Sequence, residues 1–286
     1  VGLDINCIMA NYDLPFSFPE DVVKASQHIN TTITDDPKRW DLRDVPMVTI
    51  DGEDAKDLDD AVSGRKLDNG NYELGVHIAD VSHYVVSQKA IDREAYKRGT
   101  SVYLVDRVIP MLPEVLSNGI CSLNAGEDRY AMTCMMEIDA HGKVVNYRIQ
   151  QSIIHVNRRC SYKEIYKALT EDIIPDDLAP LMLMIHNLSD IAKTLNDMRR
   201  RRGALDFDFP EYKVLLDTEG TPLRIVRRDR TLAERLIEEC MLIANETVAT
   251  HLKNTNRTSV YRIHETPSEE KMSMYQKVLN YLGQDI

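Results

Sequence analysis

Residues 47–78 read MVTIDGEDAKDLDDAVSGRKLDNGNYELGVHI and contain the clearest signals of secondary structure in the chain. This stretch opens with Met47–Ile50, an apolar run that predicts a strand. It closes around Asn69-Gly70, a pair that supplies the positive backbone angles of a tight turn and predicts a hairpin over residues 60–78. Between these elements lies a loop, residues 51–60, in which six of the ten positions are acidic. The stretch therefore predicts strands joined by a dense cluster of carboxylates.

Similar signals continue along the chain. Two more hairpins are expected, around His141-Gly142 and Glu219-Gly220. Three helices are expected, and they span 177–202, from Thr231 to about Leu252, and from Thr266 to about Gly283 with Pro267 at the first helical position. Strands and helices are interspersed without a regular βαβ rhythm. The sequence thus predicts a mixed α+β fold, with a mainly antiparallel sheet and flanking helices.

Composition narrows the class of protein. The chain has 286 residues, 43% of them hydrophobic, and a formal net charge of −11. Such a composition argues against intrinsic disorder, and the apolar runs fall far short of the roughly 20 residues that a membrane span needs. The acidic balance argues against a nonspecific nucleic-acid binder. The charge is unevenly distributed along the sequence, however. Residues 35–60 contain ten acidic and four basic residues, whereas residues 193–235 contain eleven basic and eight acidic residues.

The cysteine pattern indicates a redox compartment. Five cysteines, at positions 7, 121, 134, 160 and 240, are widely spaced and form no CxxC pair. This pattern argues against a disulfide framework or a zinc knuckle and favours a reducing cytosol.

The acidic loop has two interpretations. Carboxylates packed so closely repel one another, and a hard divalent cation with its preference for oxygen ligands removes that cost. Bound metal ions would suit attack on a phosphodiester. A calcium EF-hand is excluded, since Lys56 or Val62 would stand where its glycine is required. A plain solvated turn stays open, although the interleaved apolar residues would pin the carboxylates beside a core.

Several motifs resemble the catalytic (RNB) domain of the ribonuclease II/ribonuclease R family, in collinear order over essentially the whole chain. The motifs are Asp41-Leu42-Arg43-Asp44 through Asp60-Ala61-Val62, His77-Ile78-Ala79-Asp80-Val81-Ser82, Arg98–Tyr103, Pro110–Glu114 with Leu116–Gly119, Cys121-Ser122-Leu123, Leu236–Met241 and Arg262-Ile263-His264. The resemblance implies a processive 3'→5' hydrolytic exoribonuclease that degrades single-stranded RNA from a free 3' end to nucleoside 5'-monophosphates. It implies Mg²⁺ as cofactor, as two ions during catalysis, with Mn²⁺ as a substitute.

The resemblance also implies roles for individual residues. The predicted metal ligands and catalytic residues are Asp51, Asp57, Asp59 and Asp60. Of these, Asp59 resembles the residue most tied to chemistry rather than to binding. The predicted substrate-binding residues are Tyr103, which would stack near the 3'-terminal base, Phe207, which would complete an aromatic clamp, and Tyr162 and Glu239, which would lie near the ribose hydroxyls. Stacking suits an enzyme that accepts any base.

The resemblance divides the chain into three parts. Residues 1–13 resemble the tail of a cold-shock-like domain, residues 14–46 form a lead-in with a short helix near 20–30, and residues 47–286 form the RNB domain. The chain begins at Val1 rather than at Met, and we expect a piece of a longer protein that lacks its cold-shock and S1 domains. The family's paired arginine, which neutralises the scissile phosphate, has no counterpart here. We therefore expect the RNB domain to be incomplete at its C-terminus and weakly active or inactive alone.

Two other classes of function stay open: an RNA-binding pseudoenzyme of the same fold, and a metal-dependent phosphoesterase that acts on another substrate. His77 and His83 flank Asp80 but match no common zinc spacing, so we expect structural histidines.

Overall fold

The structure is a computed structural model that describes residues 3–207, 209–261, 263 and 265–284, with side chains from residue 5 onward. Arg262 and His264 of the last family-like motif lie outside the described residues. The chain divides into two compact units, residues 1–248 and residues 249–286. Among the described residues, none of the helices has the length and apolar character to cross a membrane.

A seven-stranded sheet forms the centre of the first unit. Its strands are β1 (Trp40–Leu42), β2 (Val48–Asp51), β3 (Asp60–Lys66), β4 (Tyr72–Ala79), β7 (Asp128–Ile138), β8 (Val144–His155) and β9 (Arg158–Ser161). Their order is β1-β8-β7-β4-β3-β2-β9. All neighbours are antiparallel except the two outermost pairs, in which β1 runs parallel to β8 and β9 runs parallel to β2. The predicted α+β class with a mainly antiparallel sheet is confirmed.

Helices cover both faces of this sheet, because successive strand residues point to opposite sides. On one face Val62 of β3 and Val76 of β4 belong to a buried core shared with helices of the second half of the unit. On the other face Ala61 and Ala79 belong to a second core. The helices of the first core are α5 (Tyr162–Thr170), α6 (Met182–Arg201) and α7 (Leu232–Asn254), and those of the second are α2 (Glu20–Gln27), α4 (Ala90–Arg98) and a π-helical turn, Val115–Ile120.

The remaining elements are short. They are α1 (Leu3–Asn11), α3 (Val81–Tyr84), a two-stranded ribbon of β5 (Val102–Tyr103) and β6 (Val108–Ile109), and a hairpin of β10 (Glu211–Leu216) and β11 (Pro222–Arg228). The second unit contains α8 (Glu269–Tyr281).

The three predicted hairpins are confirmed by the antiparallel pairs β3–β4, β7–β8 and β10–β11. The helix predicted from residue 177 begins later, at Met182, after a 3₁₀ turn, Ala179–Leu181. Pro180 explains the delay, since proline has no amide hydrogen and disfavours helical geometry in the residue before it.

Helix α8 also begins later than predicted. Its N-cap is Ser268, whose hydroxyl accepts a hydrogen bond from the Lys271 amide at 3.4 Å, so Pro267 precedes the cap instead of occupying the first helical position. Serine supplies a capping oxygen that proline lacks. The cap of α7 is at the predicted place: the amide of Thr231 donates to Glu234 at 3.0 Å.

Two strands of the central sheet were not predicted, β1 and β9. β1 lies inside the predicted lead-in, so residues 40–42 of that segment are part of the central sheet. The predicted domain boundaries stay predictions. For the site, β9 matters most, because it forms the edge of the sheet beside β2.

Candidate active site

The acidic loop, residues 51–60, connects the end of β2 to the start of β3 at one end of the sheet. Asp51 is the last residue of β2, and Asp60 is the first residue of β3. Between them, Leu58 is buried in the second core with 2% of its surface exposed. The two strands and this apolar anchor hold the carboxylates beside the core, as the interleaved sequence indicated.

The six acidic side chains of the loop fall into two groups. Glu53 and Asp54 lie opposite lysines: Lys163 Nζ is 3.6 Å from a Glu53 oxygen, and Lys213 Nζ is 2.6 Å from an Asp54 oxygen. The second group consists of Asp51, Asp57, Asp59 and Asp60. Within the described part of the chain, no lysine or arginine forms an ion pair with this second group.

Three members of the second group, Asp51, Asp59 and Asp60, are partly desolvated and repelled by neighbouring carboxylates. Burial raises the pKa of Asp51 to about 6, and the charges of Asp57 and Asp59 add to this shift, while Arg159 opposes it. Burial raises the pKa of Asp60 to about 6 as well, with further contributions from Asp51 and Asp59. The pKa of Asp59 is raised by desolvation and by the charge of Asp57. In three of the four carboxylates, the negative charge of other members of the group therefore contributes to the raised pKa.

Two carboxylate oxygens in this cluster are buried without a hydrogen-bond partner among the described residues: Asp51 Oδ2 and Asp60 Oδ2. Buried polar atoms are normally paired, so these two oxygens fit an oxygen-seeking cation such as Mg²⁺. As placed, no three His, Cys, Asp or Glu side chains of the described residues converge closely enough to hold an ion. The donor set thus fits a hard cation by its chemistry, and side-chain adjustment would have to bring the oxygens to ligand distance.

A cavity of about 740 Å³ adjoins the loop. Its wall includes Gly52–Ala55 of the loop together with Tyr103 and Tyr162, two predicted substrate-binding residues. Tyr103 is 66% exposed, and its hydroxyl donates a hydrogen bond to Asp57 Oδ2 at 2.9 Å. Burial, with the charges of Asp51 and Asp60, raises the pKa of Tyr162 to about 12. The structure therefore brings both tyrosines to the acidic cluster.

The other two predicted substrate residues lie elsewhere. Phe207 is 62% exposed and stacks on Phe209, with ring centroids 5.5 Å apart, and it is not among the described residues that line the cavity. Glu239 is 3% exposed and faces α6, where its Oε1 accepts hydrogen bonds from Asn196 at 3.0 Å and from Arg199 at 2.6 Å. Glu239 thus lies on the face of α7 that packs against α6 and is not among the described residues that line the cavity, and its role near the ribose hydroxyls stays a prediction. The clamp role of Phe207 stays a prediction.

Residues that sequence reasoning missed complete the cavity. Tyr166 lies one helical turn beyond Tyr162 on α5, Tyr212 lies on β10, and Arg228 lies on β11. Glu234 of α7 also lines the cavity and acts by its charge on Tyr162. The acid of α7 that faces this site is thus Glu234. Its capping-box position was visible in the sequence, but its direction was not.

The histidines of the family-like motif are structural in this fold. His77 is fully buried, its Nδ1 lies 2.8 Å from Thr133 Oγ1, and its Nε2 lies 3.1 Å from Ser63 Oγ. His83 packs edge-on against Tyr84 and Tyr130. Asp80 between them accepts a hydrogen bond from the buried Arg39 at 2.8 Å.

Residues 39–286 match the RNB domain. Ribonuclease R of Thermotoga maritima is 47% identical over 287 residues, which cover 99% of this chain and 40% of that relative. A structure of Mycoplasma genitalium RNase R in complex with double-stranded RNA matches with a TM-score of 0.91 and 30% identity, over 98% of this chain and 50% of that chain. The same enzyme with ribose methylated single-stranded RNA matches with a TM-score of 0.91 and 31% identity, over 98% of this chain and 44% of that chain.

The fold and these matches define the class: the chain belongs to the RNB domain family. Within that family it is similar to ribonuclease R proteins, as the sequence motifs indicated. The chain spans only 40% of the length of the Thermotoga relative and 50% or less of the solved chains.

Proposed function

We propose that this chain carries the hydrolytic centre of a 3'→5' exoribonuclease of the exoribonuclease II type, which degrades single-stranded RNA processively to nucleoside 5'-monophosphates. The observation that supports this most is the group of four carboxylates without a lysine or arginine partner among the described residues, beside a tyrosine-lined cavity. The relatives named ribonuclease R, and the RNA bound in the Mycoplasma genitalium structures, support RNA as the substrate.

Asp51, Asp57, Asp59 and Asp60 would hold the Mg²⁺ ions, for which Mn²⁺ is a substitute. Bound divalent cations supply activation of water and neutralisation of charge on the phosphodiester. Asp51 and Asp60 offer the two buried oxygens that lack a partner. Asp59 is the exposed member of the four, which suits the role in chemistry rather than in binding that the resemblance implies.

The cavity beside the loop would hold the 3' end of the RNA. Its volume of about 740 Å³ falls within the range of sites for small organic ligands. The exposed ring of Tyr103 offers a stacking surface for any base. The hydroxyl of Tyr162, a residue of the same wall, would contact a ribose hydroxyl, the group that distinguishes RNA from DNA. Arg228 would contribute a cation that attracts phosphate, whereas Lys163 and Lys213 of the same wall already face Glu53 and Asp54.

A labelled-substrate assay tests this function. With the chain in excess over RNA labelled at its 5' end, we expect slow shortening from the 3' end that requires Mg²⁺, stops with a chelator and releases nucleoside 5'-monophosphates. We expect low rates, since the chain alone is expected to be weakly active. DNA of the same sequence should stay intact.

Two variants make the assay specific. Asp59→Asn should abolish shortening while RNA binding, measured by fluorescence anisotropy, stays within about twofold. Asp68→Asn, in the exposed turn between β3 and β4, removes the same charge away from the site and should leave the rate unchanged. With the chain joined to its cold-shock and S1 domains, RNA binding without any shortening dependent on Asp59 would contradict the proposal and indicate a pseudoenzyme. Equal shortening of DNA would indicate a general phosphoesterase.

We also propose a cellular location and additional RNA-binding domains for this activity. The cysteine pattern supports a cytoplasmic location. Cold-shock and S1 domains in the same protein would extend the path of the RNA, since such oligonucleotide-binding folds track single strands.

A further inference from the structure

We propose that Arg159 is a positioning residue that holds the backbone of the acidic loop, so that the carboxylates on either side of it are presented together. The effect on cation binding rests on the proposed function. The effect on the conformation of the loop does not depend on it.

The register of two strands places Arg159 beneath the loop. β9 runs parallel to β2 at the edge of the sheet, with Arg159 opposite Thr49 and Ser161 opposite Asp51. The guanidinium therefore starts from the strand next to the one that ends in Asp51. From there it reaches the first turn of the loop.

One nitrogen of this guanidinium contacts three backbone carbonyls. Arg159 Nη2 lies 3.3 Å from Gly52 O, 3.0 Å from Glu53 O and 2.7 Å from Ala55 O, and it donates its hydrogens to this group. The turn itself is closed by one hydrogen bond, from the Ala55 amide to Gly52 O at 3.1 Å. A charged donor at several carbonyls makes stronger hydrogen bonds than a neutral one.

The other half of the loop is held from a different direction. The buried Ser122 hydroxyl donates to Lys56 O at 2.9 Å and accepts from the Leu58 amide at 3.1 Å. The Leu123 amide donates to Leu58 O at 2.8 Å. Arg159 and Ser122 together fix the loop between Gly52 and Leu58. Asp51 lies next to the segment that Arg159 contacts, and Asp57, Asp59 and Asp60 lie within or next to the segment that Ser122 contacts.

Ordering such a turn is costly, because fixing the backbone of one residue costs about 1–2 kcal/mol. Residues 53 and 54 are exposed, and Arg159 contacts the backbone carbonyls of Glu53 and of the residues on either side of this pair. Without it, the loop would sample other conformations and the carboxylates would separate more often. Loss of groups that orient metal ligands typically weakens metal binding about 10–100-fold.

The charge of Arg159 works in the opposite direction, which makes the inference testable. Its guanidinium acts by its charge on the Asp51 carboxylate. A positive charge at this place repels an incoming cation. If Arg159 acted by charge alone, its removal would tighten cation binding. If it positions the loop, its removal weakens cation binding.

The test uses the chain with Arg159→Gln, which removes the charge and the nitrogen that reaches the three carbonyls, and with Arg159→Lys, which keeps the charge on a side chain one atom shorter. The control is Arg158→Gln on the same strand, since Arg158 pairs with Glu164 and Asp177 at 2.9 Å and 2.8 Å instead of with the loop. Mn²⁺ affinity is measured by electron paramagnetic resonance of the unbound ion. Hydrogen exchange is measured on peptides that cover residues 52–58.

We expect both Arg159 variants to bind Mn²⁺ about tenfold more weakly and to exchange faster in residues 52–58, with the strands of the sheet unchanged. Arg158→Gln should lower the melting temperature and leave both measurements at the wild-type level. Unchanged exchange in Arg159→Gln, or Mn²⁺ binding as tight as in the wild type or tighter, overturns the inference. If the wild-type chain binds no Mn²⁺, the proposed function fails, and the exchange result alone decides whether Arg159 holds the loop.

Discussion

At the scale of single residues, the site depends on polar groups that the fold removes from water. Asp51 and Asp60 each keep one buried oxygen without a partner among the described residues. His77 shows the opposite solution, since both of its ring nitrogens lie within hydrogen-bond distance of hydroxyl groups. Both solutions tie the protonation of a buried side chain to the stability of the fold.

His77 gives a prediction about pH. Burial lowers its pKa to about 3, whereas an unfolded histidine titrates near 6.5. Between these values the unfolded chain binds a proton that the folded chain does not. The stabilisation from neutral His77 is thus complete above about pH 6.5 and falls as the pH is lowered, by at most about 1.4 kcal/mol per pH unit.

The comparison with His77→Gln isolates this effect, because the other titrating groups are the same in both proteins. The variant should be less stable at pH 7.5. Between pH 6 and pH 4, its free energy of unfolding in urea should fall less steeply with decreasing pH than that of the wild type. The two slopes should differ by about 1.4 kcal/mol per pH unit, which corresponds to one proton. Identical slopes would show that His77 does not carry this linkage.

At the scale of elements, the turns of the hairpins differ in what surrounds them. Gly142, in the β7–β8 turn, has a φ of +85°, and a Cβ there would meet Met198 Cβ at 2.8 Å and Thr194 O at 3.0 Å. Gly70, in the β3–β4 turn, has a φ of +87° and nothing within 4 Å of such a Cβ. Both positions require the left-handed backbone region, but only the first is also a close contact with α6.

Alanine at the two glycines should separate these causes. Gly70→Ala should cost about 1 kcal/mol, from backbone strain alone. Gly142→Ala should cost a further 1–3 kcal/mol, roughly, because the added methyl overpacks the contact with α6. Urea unfolding of both variants gives the two values. Equal losses would show that α6 yields at this contact.

Some of these elements could be predicted from the sequence alone, and others could not. The hairpins were predictable, because glycine-containing turns are local signals. β1 and β9 were not, since their partners lie more than a hundred residues away: Trp40 pairs with Ser152, and Val48 pairs with Arg158. Sequence patterns of a single chain contain little information on such pairing.

The site was predictable to a similar degree. The acidic loop and the tyrosines at 103 and 162 follow from composition and from the resemblance, and the structure brings them together. Arg159 was missed because its partners are backbone carbonyls, which have no sequence signature. Glu234 is among the residues that line the cavity and Glu239 is not, because the two point about 140° apart around α7, at 3.6 residues per turn. A short motif does not indicate which of these directions faces the loop.

In the whole molecule, the net charge does not favour RNA binding, and the architecture leaves one end of the sheet open for the cavity. A net charge of −11 gives the chain little general attraction for RNA. Affinity would then come mainly from the tyrosines that line the cavity. The sheet supports this arrangement, since helices cover both of its faces and leave the end that carries the acidic loop for the cavity.

We propose above that the acidic loop binds a divalent cation. The most direct test is a crystal of the chain soaked in millimolar Mn²⁺ and measured near the manganese absorption edge. We predict an anomalous peak among the carboxylates of Asp51, Asp57, Asp59 and Asp60, lost or much reduced in Asp59→Asn. Crystals that show no peak there, with those four side chains directed into solvent, would contradict the account.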